Sequence, residues 1–181
     1  LNSDLLVAGI SGNYKVKQLG DDLKELWKNY YAILTNNYSG SKVAKTSPIN
    51  PYQIDITVDL RDANPILNLI DPMLFISNNT QVEGAFYQTE QNTVFNFYSG
   101  IDTIYYGNNY FIDNNIDLNT AKYKDSNEVL ASFYALSKEI QLNSGFNFHN
   151  LSLETIWNQS KLDISFYLDQ LLTESHFDIG A

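Results

Sequence analysis

The chain has 181 residues, 44% of them hydrophobic, no cysteine, and a formal net charge of -10 with a pI near 4.4. That hydrophobic content supports a sizeable core and excludes wholesale disorder. The missing cysteine excludes thiol nucleophiles, disulfides and thiolate metal sites, and the acidic field repels nucleic-acid phosphates and anionic headgroups.

With 13 tyrosines and 10 phenylalanines against 18% charged residues, the composition favours strands, and abundant asparagine favours turns. The first element is an extended segment from Leu5 to Gln18 that contains Gly9 and Gly12. The period then changes. Leu23, Leu26, Trp27, Tyr30, Ile33 and Leu34 recur at helical spacing, which predicts one amphipathic helix over 21–34, capped by Asp21 or Asp22. Residues 35–51 are rich in Asn, Ser, Gly and Lys with two prolines, and predict an exposed loop.

A strand follows in which Ile54, Ile56, Val58 and Leu60 alternate with Gln53, Asp55, Thr57 and Asp59, so one face is dry and the other wet. Asn64 to Leu69 predicts a short helical turn ending before Pro72. From there strand and turn alternate: strands over 81–87, 93–99, 103–106, 110–120, 128–137, 146–157 and 161–170, separated by Asn- and Gly-containing turns. The last of these alternates Leu162, Ile164, Phe166 and Leu168 against Asp163, Ser165, Tyr167 and Asp169. The fold class expected is mostly β: antiparallel strand repeats in an elongated curved sheet or trough, with one inserted amphipathic helix. One segment, 1–181, accommodates all of it.

Catalytic chemistry has little to stand on. Asp55, Asp59, Asp163 and Asp169 occupy the wet phase of their strands, where carboxylates serve solubility rather than paired acid–base work. Asp113, Asp117, Asp125 and Glu128 lack the spacing of a calcium loop. His149 and His176 make no zinc motif, and Arg61, the sole arginine, leaves guanidinium clamping of phosphate nearly unavailable. No phosphate loop, dinucleotide fingerprint or nucleophile elbow occurs, and the chain is expected to be a non-enzyme without metal or cofactor.

The remaining feature is the dry face. Ile54, Ile56, Val58 and Leu60, then Phe95 and Phe97, then Phe146, Phe148, Leu151 and Leu153, then Leu162, Ile164, Phe166 and Leu168 form it. Two readings share this pattern: a closed core with sheet packed on sheet, and an apolar trough left open for lipid tails or an unfolded hydrophobic chain. Periodicity does not separate them.

Several short stretches carry a resemblance. They are Asn64-Pro65-Ile66-Leu67-Asn68-Leu69, Ile76-Ser77-Asn78-Asn79-Thr80-Gln81-Val82-Glu83-Gly84, and Ile101 to Asn109 leading into Asn115-Ile116-Asp117-Leu118-Asn119-Thr120. Together with Leu142-Asn143-Ser144-Gly145, Asn150-Leu151-Ser152-Leu153-Glu154 and Trp157, their wording and order resemble the TamB-like translocation and assembly module proteins, relatives of the AsmA-like envelope proteins. The resemblance spans nearly the whole chain. It implies an interior fragment of a longer protein, consistent with an opening on Leu1-Asn2-Ser3 rather than on Met. It further implies a β-trough with an apolar lining, a full-length protein anchored in the inner membrane and crossing the periplasm, and phospholipid acyl chains as cargo. An outer-membrane partner of the Omp85 type is implied as well, and no catalytic residue is carried over. The resemblance favours the open trough. The alternative is a closed-core surface domain with a structural or glycan-binding role and exposed aromatics near Tyr105–Tyr110.

Overall fold

The computed structural model describes residues 3–34, 51–123, 129–143, 145–158, 161–170 and 173–180. Strand β1 (Leu6–Gly12) leads into helix α1 (Val16–Leu34). Strand β2 (Tyr52–Leu60), helix α2 (Asn64–Ile70) and the short β3 (Leu74–Ile76) follow. The rest is a meander: β4 (Thr80–Gln88), β5 (Asn92–Tyr106), β6 (Asn109–Tyr123), β7 (Val129–Gln141), β8 (Asn147–Asn158), β9 (Lys161–Gln170) and β10 (Thr173–Gly180).

All ten strands join one antiparallel sheet in the order β1-β2-β4-β5-β6-β7-β8-β9-β10, with β3 on β5 beyond the reach of β4. The sheet is open and uncurled. The expected antiparallel strand repeats with an amphipathic helix are therefore what forms, in an open, uncurled sheet where a curved one or a trough was expected. From β4 to β10 each strand turns back on its neighbour through a short connection, while β1 reaches β2 by way of α1, and β2 reaches β4 by way of α2 and β3.

Boundaries differ from the sequence reading, two of them for a clear local reason. The segment 5–18 is not extended throughout: Gly12, at φ 131°, breaks β1, and α1 begins at Val16. Asp21 and Asp22 thus lie inside the helix, and neither caps it. The two strands expected over 93–99 and 103–106 are one, because Gly100 stays in register between Gln81 and Asn115. Helix α2 matches the expected turn, with Pro65 in its first turn, where a missing N–H costs nothing. Asn64 ties this helix to β3 with both ends of its amide: Nδ2 donates to the Ile76 carbonyl at 3.1 Å, and Oδ1 accepts from the Ile76 N–H at 2.9 Å. The loop expected over 35–51 lies, Pro51 apart, outside the described residues. So do the side chains of Leu26, Trp27, Tyr30, Ile33 and Leu34.

A core exists at one corner. Tyr52, Ile54 and Phe86 are buried, and Tyr14, Leu19, Ile56 and Phe95 pack against them. Leu19 belongs to α1 and Tyr14 to its approach, so the helix roofs this corner. Among the described residues the buried hydrophobics are Tyr52, Ile54, Ala63, Phe86 and Ile140, far fewer than a second layer over ten strands would bury.

Candidate functional site

Antiparallel partners share a face, so the register assigns the sides of the sheet. Three rows cross seven strands from β2 to β9. One runs Ile54, Phe86, Phe95, Thr120, Ala131, Trp157, Leu162. The next runs Ile56, Gly84, Phe97, Leu118, Phe133, Thr155, Ile164, and the third Val58, Val82, Ser99, Ile116, Ala135, Leu153, Phe166. Nine of the residues expected to line an apolar face fall in these rows: Ile54, Ile56, Val58, Phe95, Phe97, Leu153, Leu162, Ile164 and Phe166.

The others stand at the margin. Leu60 pairs with Thr80, and Leu151 with Ser137, one row further along. Leu168 lies where the β8–β9 register shifts between His149 and Ser152. Phe148 belongs to a separate row, Ile104, Phe111, Ile140, Phe148, beyond Asn150, whose φ of 51° interrupts the strand. Phe146 precedes β8, is 57% exposed and stacks on Phe148 with ring centroids 6.4 Å apart. These two phenylalanines do not join the three-row band. The sequence reading missed Val82, Phe86, Ile116, Leu118, Phe133 and Trp157. The signal for Ile116 and Leu118 was present, since they alternate with Asn115, Asp117 and Asn119.

Polar residues in and beside the band are neutralised by the backbone. Ser99 Oγ donates to the Gln81 carbonyl at 3.0 Å, and Thr120 Oγ1 to that of Phe95 at 3.2 Å. Buried Asn114 gives Nδ2 hydrogens to the carbonyls of Ile101 and Phe111 at 3.1 and 2.8 Å. None of these side chains therefore imposes an unmet hydrogen bond on something resting against the face. Away from the α1 corner, the large residues of the band, Phe97, Leu118, Phe133, Leu153, Ile164 and Phe166, are half-buried, and among the described residues no second layer packs over them. At a rise of roughly 3.4 Å per residue and strand spacing of about 4.8 Å, the band is ~14 Å wide and ~29 Å long.

The opposite face is wet and acidic. It carries Asp55, Asp59, Glu83, Asp117, Glu154 and Asp163, interleaved with Tyr98 and Tyr134. Among the described residues no group of carboxylates and histidines is arranged to hold a metal, and no helix is long and apolar enough to cross a membrane.

No family model, no curated protein and no solved structure matches this chain.

Proposed function

We propose that the chain holds acyl chains on its open sheet face, as a segment of a lipid-transport and outer-membrane assembly protein of the cell envelope. One observation carries this reading: three apolar rows run without interruption by charge across seven strands of a single-layer sheet. A contiguous, half-exposed apolar surface of this size, roughly 400 Å², is often an interaction site. Each methylene laid on the band gains about 0.8 kcal/mol, and the gain has no direction, so a tail is held without being locked at one station. The band's ~29 Å length is about twice the ~15 Å that one acyl leaflet occupies in a bilayer. The acidic reverse face keeps such a surface in solution. On this reading, the inner-membrane anchor and the contact with an outer-membrane partner belong to other parts of the polypeptide, as the family resemblance implies.

Native mass spectrometry of the purified chain, with solvent extraction, tests the proposal. Bound phospholipid that is lost on Phe97→Asp, Ile164→Asp or Phe166→Asp, with far-UV circular dichroism unchanged, is the result expected. An apo mass, together with no uptake of a fluorescent sixteen-carbon fatty acid, would sink it.

A further inference from the structure

At one end of the sheet, away from the apolar band, two turns and the start of β3 meet. In the β5–β6 turn Gly107 adopts φ 61° and donates its N–H to the Met73 carbonyl at 2.9 Å. A side chain at Gly107 would meet only the mobile end of Met73, Cε at 2.9 Å, so it is the left-handed φ that favours glycine here. Asn109 bridges the two turns: its Nδ2 donates to the Tyr106 carbonyl at 3.2 Å, and its Oδ1 accepts the N–H of Asn143 at 3.1 Å. The β7–β8 turn is closed in its own right by Leu142 N–H to the Phe146 carbonyl and Gly145 N–H to the Leu142 carbonyl, both at 2.9 Å.

Two depressions open on this platform and share Asn108 and Asn143 as the wall between them. One, about 540 Å³, is lined by Tyr110, Gln141 and Asn147; the other, about 470 Å³, by Met73, Phe75 and Tyr106. Both lie in the size range of small-ligand sites. Tyr106 is 47% exposed and Phe75 40%, while Tyr110 is held by an edge-on contact with Tyr105 at 4.9 Å. Among the described residues no charged one lines either depression, although the chain carries a net charge of -10.

We infer that this turn platform is a binding site for a neutral carbohydrate. The chemistry matches on each count. Exposed aromatic rings offer flat apolar faces to the C–H faces of a pyranose while keeping their polar edges wet. Side-chain amides present donor and acceptor together, which is what a ring of hydroxyls requires. The lack of a cation among the described residues of the walls, in an acidic protein, disfavours sialylated, uronate or phosphorylated glycans. The hydrogen bonds that fix Asn109, Gly107 and Asn143 hold the platform before a ligand arrives, which lowers the ordering cost of binding.

Isothermal titration of the chain with cellohexaose, maltohexaose, xylohexaose and chitohexaose tests this inference. At least one should bind with a Kd at or below about 1 mM. That affinity should weaken roughly tenfold or more in Tyr106→Ala and in the Asn108→Ala/Asn143→Ala double variant, and persist in Phe97→Asp, which alters only the apolar band. Amide chemical-shift mapping on the wild-type chain guards against variants that fail to fold: shifts centred on Gly107, Asn108 and Asn143 support the site, and shifts elsewhere overturn it. Absence of binding across the panel, or wild-type affinity in the turn variants, also overturns it.

Discussion

Tyr52 on β2 donates its hydroxyl hydrogen to Oδ2 of Asp22 on α1 at 2.6 Å, joining strand and helix across 30 residues of chain. The same ring stacks on Phe86 with centroids 5.8 Å apart. Burial first, and then the bond and the negative charge of Asp22, hold the Tyr52 phenol well above its ordinary value. A hydrogen bond to a charged group contributes about 1.5–3 kcal/mol, and this one is half-buried, so Tyr52→Phe should cost about 1.5 kcal/mol by urea denaturation near neutral pH. The raised value sets the sign of the pH dependence. The contribution is complete below the unfolded tyrosine value of about 10 and is lost as pH rises above it. Wild type and Tyr52→Phe should therefore converge in stability at alkaline pH. A gap that stays constant to about pH 11 would mean the bond contributes nothing.

The roofed corner and the open band should respond differently to truncation. Phe86 is 1% exposed, and Phe86→Ala removes a fully packed ring, at a cost of about 3–5 kcal/mol. Phe97 and Phe166 sit in the half-buried band, and Phe97→Ala or Phe166→Ala should cost about 1 kcal/mol each, since part of each ring is already in water. Urea midpoints at constant slope provide the comparison. Losses of equal size at Phe86 and Phe97 would show that something covers the band in solution.

Gly12 is where β1 gives way to the approach to α1. Its φ of 131° suits glycine, and a Cβ there would lie 2.1 Å from the Gln53 carbonyl oxygen, which also accepts the Asn13 N–H at 3.1 Å. Gly12→Ala must move that carbonyl and break the bond. The expected cost is about 2–3 kcal/mol. By contrast Gly20 has open space around it, and Gly20→Ala, inside α1, should stabilise by about 0.5–1 kcal/mol. If the two substitutions shift the urea midpoint in the same direction, this account of the junction is wrong.

These contrasts also show what a sequence can and cannot carry. The alternation in β2 and β9 is legible because each apolar residue is flanked by Asp, Gln, Thr or Ser, and the register confirms that Ile54, Ile56 and Val58 share a face with Leu162, Ile164 and Phe166. The start of α1 is hidden because Lys15-Val16-Lys17-Gln18-Leu19-Gly20 has no capping residue, and Val16 and Gly20 break up its run of good helix formers, so nothing marks the boundary. The offset between Phe148 and Leu151, three residues in a strand of period two, was visible, but its cause was not. Asn150 adopts a left-handed conformation that asparagine tolerates better than most residues, and nothing in its neighbours signals it. Whether the dry face is open could not be read at all, because an uncovered sheet and a sandwich require the same alternation.

The β8–β9 irregularity beside Asn150 makes a prediction of its own. Asp169 Oδ2 accepts a hydrogen from Asn150 Nδ2 at 2.9 Å, and Asp169 faces His149 across the pair of strands where the register shifts. Hydrogen bonding by Tyr167 and then by Asn150, with a smaller contribution from the charge of His149, holds the Asp169 carboxyl below the usual carboxylate range. A lowered value means the ionised form is favoured by folding. The contribution is present above the unfolded carboxylate value of about 3.9 and disappears as pH falls through the lowered one. Asp169→Asn should therefore destabilise the chain at about pH 6, with the deficit narrowing as pH falls below the unfolded carboxylate value of about 3.9. Urea denaturation of both proteins across that range is the measurement. A deficit that does not narrow on acidification would mean that Asp169 fixes the register shift through shape and not through charge.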